Sequence, residues 1–222
     1  MRMRKKKWAD PYMEAHGEYV LAHPEENKGK WHDVLNADKL HVEIGTGKGD
    51  YLINMSESFK EDGWVGIEKD HNVAAIACKK AIEDENIDIS NKRMIVLDAD
   101  DLLEWFAPNE IDVIHLNFSD PWPKTRTHKR RLSSKKFLEM YKVVLSDGGY
   151  IRMKTDNKDL FEDSVLYFLE NGFTLFEFSV DYRRHDHDED AITEYERRFM
   201  DLGQPIYQLC AIPCSDKEDV LK

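Results

Sequence analysis

From about Lys39 onward, short β-rich runs alternate with helical runs, and this alternation is what most constrains the fold. The predicted strands are Leu40–Ile44, Trp64–Ile67, Arg93–Leu97, Ile111–Phe118, Tyr150–Lys154, Phe173–Ser179 and Ile206–Ala211. The predicted helices are Tyr51–Phe59, Asn72–Glu83, Asp101–Phe106, Ser134–Leu145 and a helix capped by Asp156 that runs to about Glu170. Alternating units of this kind form a parallel sheet with helices on both faces, and two final strands without a clear helix between them predict an antiparallel hairpin. We therefore predict an α/β fold with a mostly parallel, seven-stranded sheet and an antiparallel closing strand.

The chain has 222 residues, which suits one substantial α/β domain. We expect residues 1–38 to form a basic N-terminal arm and lead-in, and residues 39–222 to form the domain. No apolar run approaches the roughly 20 residues that a membrane helix needs, and no apolar segment follows the basic start, so we expect neither a membrane span nor a secretory signal. Cys78, Cys210 and Cys214 show no paired spacing, which favours a cytoplasmic protein without a disulfide framework or a zinc site.

The net charge of −12 is unevenly distributed along the chain. Five cationic residues fall within the first seven positions, and seven more, with no acid among them, lie between Trp122 and Lys136. A local basic patch can bind nucleic-acid phosphates while the rest of the surface repels them. Either stretch alone is compatible with a solvated tail or loop, but two in an otherwise acidic chain indicate an RNA partner.

The segment Glu43–Gly49 follows a predicted strand and precedes a predicted helix. Its glycines, including Gly45 and Gly47, allow the backbone to approach a ligand closely. A nicotinamide dinucleotide site needs the spacing G-x-G-x-x-G, whereas here the third glycine comes one residue early and Asp50 occupies its place. Acids near this turn disfavour a pyrophosphate but suit a cationic sulfonium, so the turn favours S-adenosylmethionine over a dinucleotide.

Carboxylates stand at the ends of three successive predicted strands, where ligands gather in an open α/β sheet. Glu43 ends the first of these strands, Glu68 the second and Asp98 the third. Glu68 is placed to accept hydrogen bonds from ribose hydroxyls in either cofactor class, and Asp98 is placed to accept one from an adenine amino group. Each acid alone is compatible with a turn or cap residue, but the set of three predicts a cofactor site.

The end of the fourth strand brings an acid and a basic run into one loop. Asp120 follows this strand, Pro121 and Pro123 stiffen the turn around it, and the cationic run begins at Lys124. A reactive carboxylate and a phosphate-binding segment are thus adjacent, as an enzyme that modifies a nucleic acid requires.

At this point the chain resembles the bacterial tRNA (guanine-N7-)-methyltransferases, a family of Rossmann-like class I enzymes that modify a guanine in the tRNA variable loop. The matching stretches are Glu43–Gly49, Gly66–Glu68, Asn117–Leu132, Lys154–Asp156 and Thr193–Glu196. The segment Ser119–Lys124 with its trailing basic residues is highly specific to this family, whereas the glycine turn alone is not.

The resemblance implies a set of site residues. S-adenosylmethionine would be bound by Glu43, Gly45, Gly47, Glu68, Asp98 and the catalytic Asp120, although many family members carry Asn where this chain has Asp98. The substrate nucleotide would be contacted by Lys124, Asp156, Thr193, Glu194, Tyr195 and Glu196, and the tRNA backbone by Arg126, Thr127, His128, Lys129, Arg130 and Arg131. Thr193 and Glu196 also have the spacing of a helix capping box, and both roles are compatible.

Guanine N7 carries a free lone pair and no proton, so methyl transfer to it depends on orientation more than on a general base. We expect Asp120 to accept hydrogen bonds from guanine N1 and N2, or to stabilise the charge that develops on the base. The acidic loop around His185–Asp188 matches no standard metal pattern, so we expect a mobile loop and no metal. The alternatives are a methyltransferase for another substrate, a nicotinamide-dependent oxidoreductase and a non-catalytic RNA-binding module. Sequence leaves open whether the protein is a monomer or a homodimer.

Overall fold

A computed structural model of the chain describes residues 6–214, so Arg2, Arg4 and Lys5 of the basic arm lie outside the described residues. Its strands are β1 (Val20–Leu21), β2 (Leu40–Ile44), β3 (Gly63–Ile67), β4 (Lys92–Ile95), β5 (Ile111–Asn117), β6 (Leu145–Thr155), β7 (Phe173–Ser179) and β8 (Tyr207–Pro213). Its α-helices are α1 (Ala9–Glu14), α2 (Trp31–Leu35), α3 (Asp50–Ser58), α4 (His71–Glu83), α5 (Leu102–Trp105), α6 (Lys135–Val144), α7 (Lys158–Glu170) and α8 (Glu194–Asp201).

The strands form one sheet in the order β1-β4-β3-β2-β5-β6-β8-β7. All neighbours pair in parallel except β8, which runs antiparallel to both β6 and β7, so the mostly parallel sheet with an antiparallel closing strand is confirmed. The predicted number of seven strands is wrong by one within the described residues. The eighth strand is the two-residue β1, which pairs with β4 through Val20 and Met94. It is too short to show the alternation of apolar and polar residues that predicts a strand.

Helix α6 ends earlier than predicted, and the following strand begins earlier. The chain passes directly from Val144 into β6, because Leu145 already pairs with Ile111 of β5. Gly148, at φ +77°, lies inside this strand at an irregularity in the pairing. The helix therefore ends without a glycine, and Gly148 marks an irregularity inside β6.

The predicted cap of α7 is also wrong by one residue. The Oδ1 atom of Asn157 accepts a hydrogen bond from the backbone N–H of Leu160 at 2.8 Å, so Asn157 and not Asp156 is the N-cap. The side chain of Asp156 is consequently not used by the helix, and it is half-buried near the carboxyl end of β6.

The sheet separates two chemically different faces. On one face, residues such as Val42, Ile114 and Met153 pack against α2, α5, α6 and α7 in the larger apolar cluster. On the other, β2, β5, β6 and β8 present a polar row that consists of His41, Glu43, His115, Asn117, Arg152, Lys154 and Gln208. A smaller apolar cluster formed by α1, α3 and α4 flanks this row.

The lead-in before β2 packs against the domain over the residues that the structure describes. Ala9 and Met13 of α1 are buried against α4, and Trp31 of α2 is fully buried and donates its indole N–H to the carbonyl oxygen of Trp105 at 2.9 Å. Among the helices in residues 6–214, none is both long and apolar enough to cross a membrane.

Candidate active site

A cavity of about 670 Å³ opens at the carboxyl ends of β2 to β5. Small-molecule sites have volumes of roughly 300–1,000 Å³, so this cavity is large enough for a nucleoside-sized ligand. Among the predicted site residues, it is lined by Gly45, Glu68, Asp98, Asp120, Lys129 and Arg130. The structure thus brings predicted cofactor residues and predicted RNA contacts to one cavity.

The conformation of the glycine turn depends on positive φ angles and on a hydrogen bond to Glu68. Gly45 and Gly47 have φ values of +83° and +59°, which favour glycine, and a Cβ on Gly45 would meet no atom within 4 Å. The two carboxylate oxygens of Glu68 accept hydrogen bonds from the backbone N–H of Gly47 at 3.0 Å and of Asp70 at 2.9 Å. Each of these oxygens retains a second lone pair for a ligand.

Glu43 lies behind the cavity lining and is buried, and only one of its two carboxyl oxygens has a hydrogen-bond partner. Its Oε1 accepts a hydrogen bond from Nδ2 of Asn117 at 3.0 Å, while Oε2 of Glu43 and Oδ1 of Asn117 have no partner. Burial raises the pKa of Glu43 to about 8, against the opposing effects of the Asn117 hydrogen bond and the charge of Lys154. Buried polar atoms without a hydrogen bond are costly, and Glu43 becomes an acceptor for a cationic group once its carboxyl loses the proton.

Asp98 lines the cavity after the end of β4 and is exposed. Its carboxylate accepts a hydrogen bond from the backbone N–H of Asp100 at 3.3 Å and lies 3.7 Å from Nζ of Lys69. Both the cap role and a ligand role therefore remain compatible with its placement.

Asp120 lies on a strained loop directly after β5. Phe118 and Trp122, two residues before and after it, have φ values of +51° and +42°, a backbone region that bulky side chains rarely adopt. The carboxylate of Asp120 is exposed in the cavity, and the ring of Trp122 is covered by Arg130, whose Cζ lies 5.0 Å from the ring centroid.

The basic stretch folds into a 3-10 helix over Thr125–Arg130, fixed by Arg131. The guanidinium of Arg131 donates from Nε to the carbonyl oxygen of Pro121 at 2.7 Å and from Nη1 to Asp163 at 2.6 Å. Its side chain is only 2% exposed, so its placement does not support the expected tRNA contact. Lys124, Arg126, Lys129 and Arg130 are exposed, whereas Nδ1 of the half-buried His128 lies 3.0 Å from the hydroxyl of Tyr167.

The start of α8 approaches Asp120 from the other side. The ring of Tyr195 packs on Phe118 with centroids 5.2 Å apart, and Oγ1 of Thr193 accepts a hydrogen bond from the backbone N–H of Glu196 at 3.0 Å. Burial, then the charge of Asp156 and that of Asp120, raises the pKa of Tyr195. Tyr195, a predicted substrate residue, therefore lies near the carboxylates of Asp120 and Asp156.

Glu196 does not join this group. Its side chain is fully buried and its oxygens bind Arg183 and Lys154, so it neither completes the capping box nor faces the cavity.

Sequence reasoning missed Asn117, although its position at a strand end was a usable signal. It also missed Asp190, which is fully buried and anchors the loop that was expected to be mobile. No local pattern signals that burial, because its partners are distant in sequence.

Over residues 6–214, the structure contains no cluster of three or more His, Cys, Asp or Glu side chains arranged to hold a metal ion. His187 of the acidic loop stacks on Tyr182 with ring centroids 3.8 Å apart.

Comparison with known sequences identifies close relatives. Residues 37–209 match a family model described as "Putative methyltransferase". The tRNA (guanine-N(7)-)-methyltransferase of Oceanobacillus iheyensis is 42% identical over 209 residues, covering 94% of this chain and 97% of its own. The protein of the same name from Streptococcus agalactiae serotype III is 39% identical over 210 residues, covering 94% and 98%.

Comparison with solved structures identifies the fold. An antibiotic related methyltransferase superposes with a TM-score of 0.61 at 16% identity, covering 82% of this chain and 92% of its own. A 16S rRNA (adenine(1408)-N(1))-methyltransferase from Catenulisporales acidiphilia gives 0.60 at 13% identity, covering 89% and 94%. These likenesses establish a shared Rossmann-like methyltransferase fold.

Proposed function

The chain belongs to the tRNA (guanine-N(7)-)-methyltransferase family, and we propose that it transfers a methyl group from S-adenosylmethionine to N7 of a guanine in the tRNA variable loop. The observation that carries the proposal is the cavity in which Asp120 is exposed. One wall of that cavity holds the glycine turn and its carboxylates, and the other holds the basic loop.

The residues present fit S-adenosylmethionine. The unpaired oxygens of Glu43 and Asn117 suit a cationic group, and the open space above Gly45 admits a ligand against the backbone. The free lone pairs of Glu68 suit ribose hydroxyls, and Asp98 suits an adenine amino group. When bound, S-adenosylmethionine supplies an electrophilic methyl group on a sulfonium. Gly47 shapes the turn that surrounds it.

Asp120 is the proposed catalytic residue. The N7 lone pair of guanine attacks without losing a proton, so the protein has to orient the base and exclude competing geometries. The Asp120 carboxylate accepts hydrogen bonds from guanine N1 and N2, which aims N7 at the methyl group. Its negative charge also stabilises the positive charge that develops on the alkylated ring.

The proposed tRNA contacts follow from position and, apart from the buried cap residue Thr193, from full or partial exposure. Around the guanine they are Lys124, Asp156, Thr193, Glu194 and Tyr195, and along the tRNA backbone they are Arg126, Thr127, His128, Lys129 and Arg130. A base extruded from the folded tRNA loses a few kcal/mol of stacking, which aromatic contacts offset. Tyr195 supports this role because its ring is 48% exposed, whereas Trp122 already carries Arg130 on its face.

The test is incubation of the protein with labelled S-adenosylmethionine and unmodified tRNA, followed by nucleoside analysis. We expect N7-methylguanosine, and a different methylated nucleoside would favour the alternative RNA substrate. Asp120→Ala should reduce kcat by about 10²–10³-fold, the size of a lost transition-state contact. Asp120→Asn separates the two roles, since it keeps an acceptor but removes the charge. Wild-type turnover in the Ala variant would contradict both roles.

We propose that the protein acts in the cytoplasm on tRNA, without a metal or a membrane, as a monomer or a homodimer. The match of the family model to residues 37–209 supports a methyltransferase domain over residues 39–222, preceded by the lead-in of residues 1–38.

A further inference from the structure

Four charged side chains are buried beneath the start of α8. Lys154 is the penultimate residue of β6, Arg183 lies in the 3-10 turn Tyr182–Arg184, Asp190 precedes α8, and Glu196 lies in the first turn of α8. The side chains of Lys154, Asp190 and Glu196 are 0% exposed, and that of Arg183 is 5% exposed. Isolated charges do not persist at such depth, so these groups depend on one another.

Each cation binds both carboxylates. Nζ of Lys154 lies 2.5 Å from Oδ2 of Asp190 and 3.3 Å from Oε2 of Glu196. Arg183 donates from Nε to Oε1 of Glu196 at 2.6 Å and from Nη2 to Oδ2 of Asp190 at 2.5 Å. The hydroxyl of Tyr51 donates to the remaining oxygen of Asp190 at 2.9 Å. We name Lys154, Arg183, Asp190 and Glu196 the charge clamp.

The charge clamp brackets the segment that contains Tyr195, whose ring packs on Phe118 of the cavity lining. Asp190 and Glu196 lie on either side of Thr193, Glu194 and Tyr195. Burial would raise the pKa of Asp190, but the neighbouring cations, Lys154 first, hold that pKa below its usual value. Because the charge clamp joins the end of β6 to α8, it restrains the start of α8, where Tyr195 packs on Phe118.

We propose that Glu196 is a positioning residue, held by Arg183 and Lys154 so that Tyr195 stands beside Asp120, and that it does not itself contact the tRNA. The inference rests on the proposed function. Glu194 provides the contrast within the same helical turn. Its side chain is 72% exposed, and its nearest ion-pair partner is Lys48 at 3.7 Å, so it is free to bind a nucleotide directly.

A double-mutant cycle separates the two roles. We expect Glu196→Gln to raise KM for tRNA about tenfold, the scale of coupling between neighbours, while the Kd for S-adenosylmethionine stays within about twofold. In an Arg183→Met background, Glu196→Gln should raise KM by a smaller factor than it does alone, because Arg183 supplies the shorter of the two bonds to Glu196 and only the Lys154 contact is left to lose. The matched control, Glu194→Gln, should raise KM by the same factor in both backgrounds. Additive effects of Glu196→Gln and Arg183→Met on KM would overturn the proposal.

Amide hydrogen exchange supplies a readout independent of activity. Glu196→Gln and Arg183→Met should speed exchange in residues 190–201 and leave the glycine turn unchanged, whereas Glu194→Gln should leave both unchanged. Arg183→Lys, which keeps the charge, should fall between wild type and Arg183→Met in both KM and exchange. Unaltered exchange in residues 190–201 would overturn the positioning role. Absence of tRNA methylation by the wild-type protein would contradict the proposed function instead, while the exchange data would still decide the positioning role.

Discussion

At the scale of single residues, Glu43 and Asp120 show how position decides the behaviour of a carboxylate. Asp120 is exposed in the cavity, where its charge is available to a base. Glu43 is 2% exposed, and its raised pKa leaves it largely protonated near neutral pH. A cation that binds next to Glu43 therefore has to displace a proton, so the proposed contact with S-adenosylmethionine would couple cofactor affinity to pH.

This coupling gives a prediction for Glu43. Since its pKa is about 8, the affinity for S-adenosylmethionine should rise by up to about tenfold per pH unit below that value and level off above it. Glu43→Gln should bind S-adenosylmethionine more weakly, and its affinity should lose the pH dependence that is due to Glu43. Any pH dependence that remains in this variant measures the titration of the cofactor's own amino group. Calorimetric Kd values between pH 6 and 9 test the prediction, and parallel curves for the two proteins would contradict it.

At the scale of elements, the basic loop is a structured part of the site. Arg131, at the end of the loop, donates hydrogen bonds to Pro121 at the start of the loop and to Asp163 of α7. The exposed cations of the loop therefore project from an anchored backbone. The strand and helix pattern, and the loop's place after β5, were predictable from sequence. The buried role of Arg131 was not, because a guanidinium in a cationic run has no local signal for a partner 32 positions away.

Arg131→Met tests whether the side chain of Arg131 anchors the basic loop. It should lower the free energy of unfolding by about 2–4 kcal/mol, since the carboxylate of Asp163 and the carbonyl of Pro121 lose their donor. It should also raise KM for tRNA. The exposed Arg126→Met is the matched variant, and it should raise KM while the unfolding midpoint in urea stays the same. Equal unfolding midpoints for Arg131→Met and wild type would contradict the structural role.

At the scale of the whole molecule, the proposed RNA contacts of the cationic loop belong to a protein of net charge −12. Local phosphate contacts release counterions whatever the net charge, but the acidic remainder repels tRNA that approaches elsewhere. The sequence predicted this asymmetry and most of the fold. It could not predict the charge clamp, whose members come from three separate parts of the chain, or the β1 pairing, because both depend on long-range packing.

Salt dependence measures this asymmetry. The slope of log K for tRNA against log salt concentration should be negative, and combining Lys124→Gln, Arg126→Gln and Lys129→Gln should reduce its magnitude by about 2–3. Lys60→Gln is the control, because Lys60 precedes the amino end of β3, whereas the cavity lies at the carboxyl ends of the strands, and because it pairs with Glu57 at 3.5 Å. An unchanged slope in the triple variant would place the RNA elsewhere.

The positive φ angles of Phe118 and Trp122 carry a further consequence for engineering. A residue in this backbone region lowers the stability of the fold by of order 1–3 kcal/mol. The contacts that anchor the two ends of the loop keep it in this conformation. Trp122→Gly would relax that conformation at no steric cost, and any gain in thermal tolerance would come with a looser catalytic loop. A search for stabilised variants of this enzyme would therefore tend to select slower ones at this position.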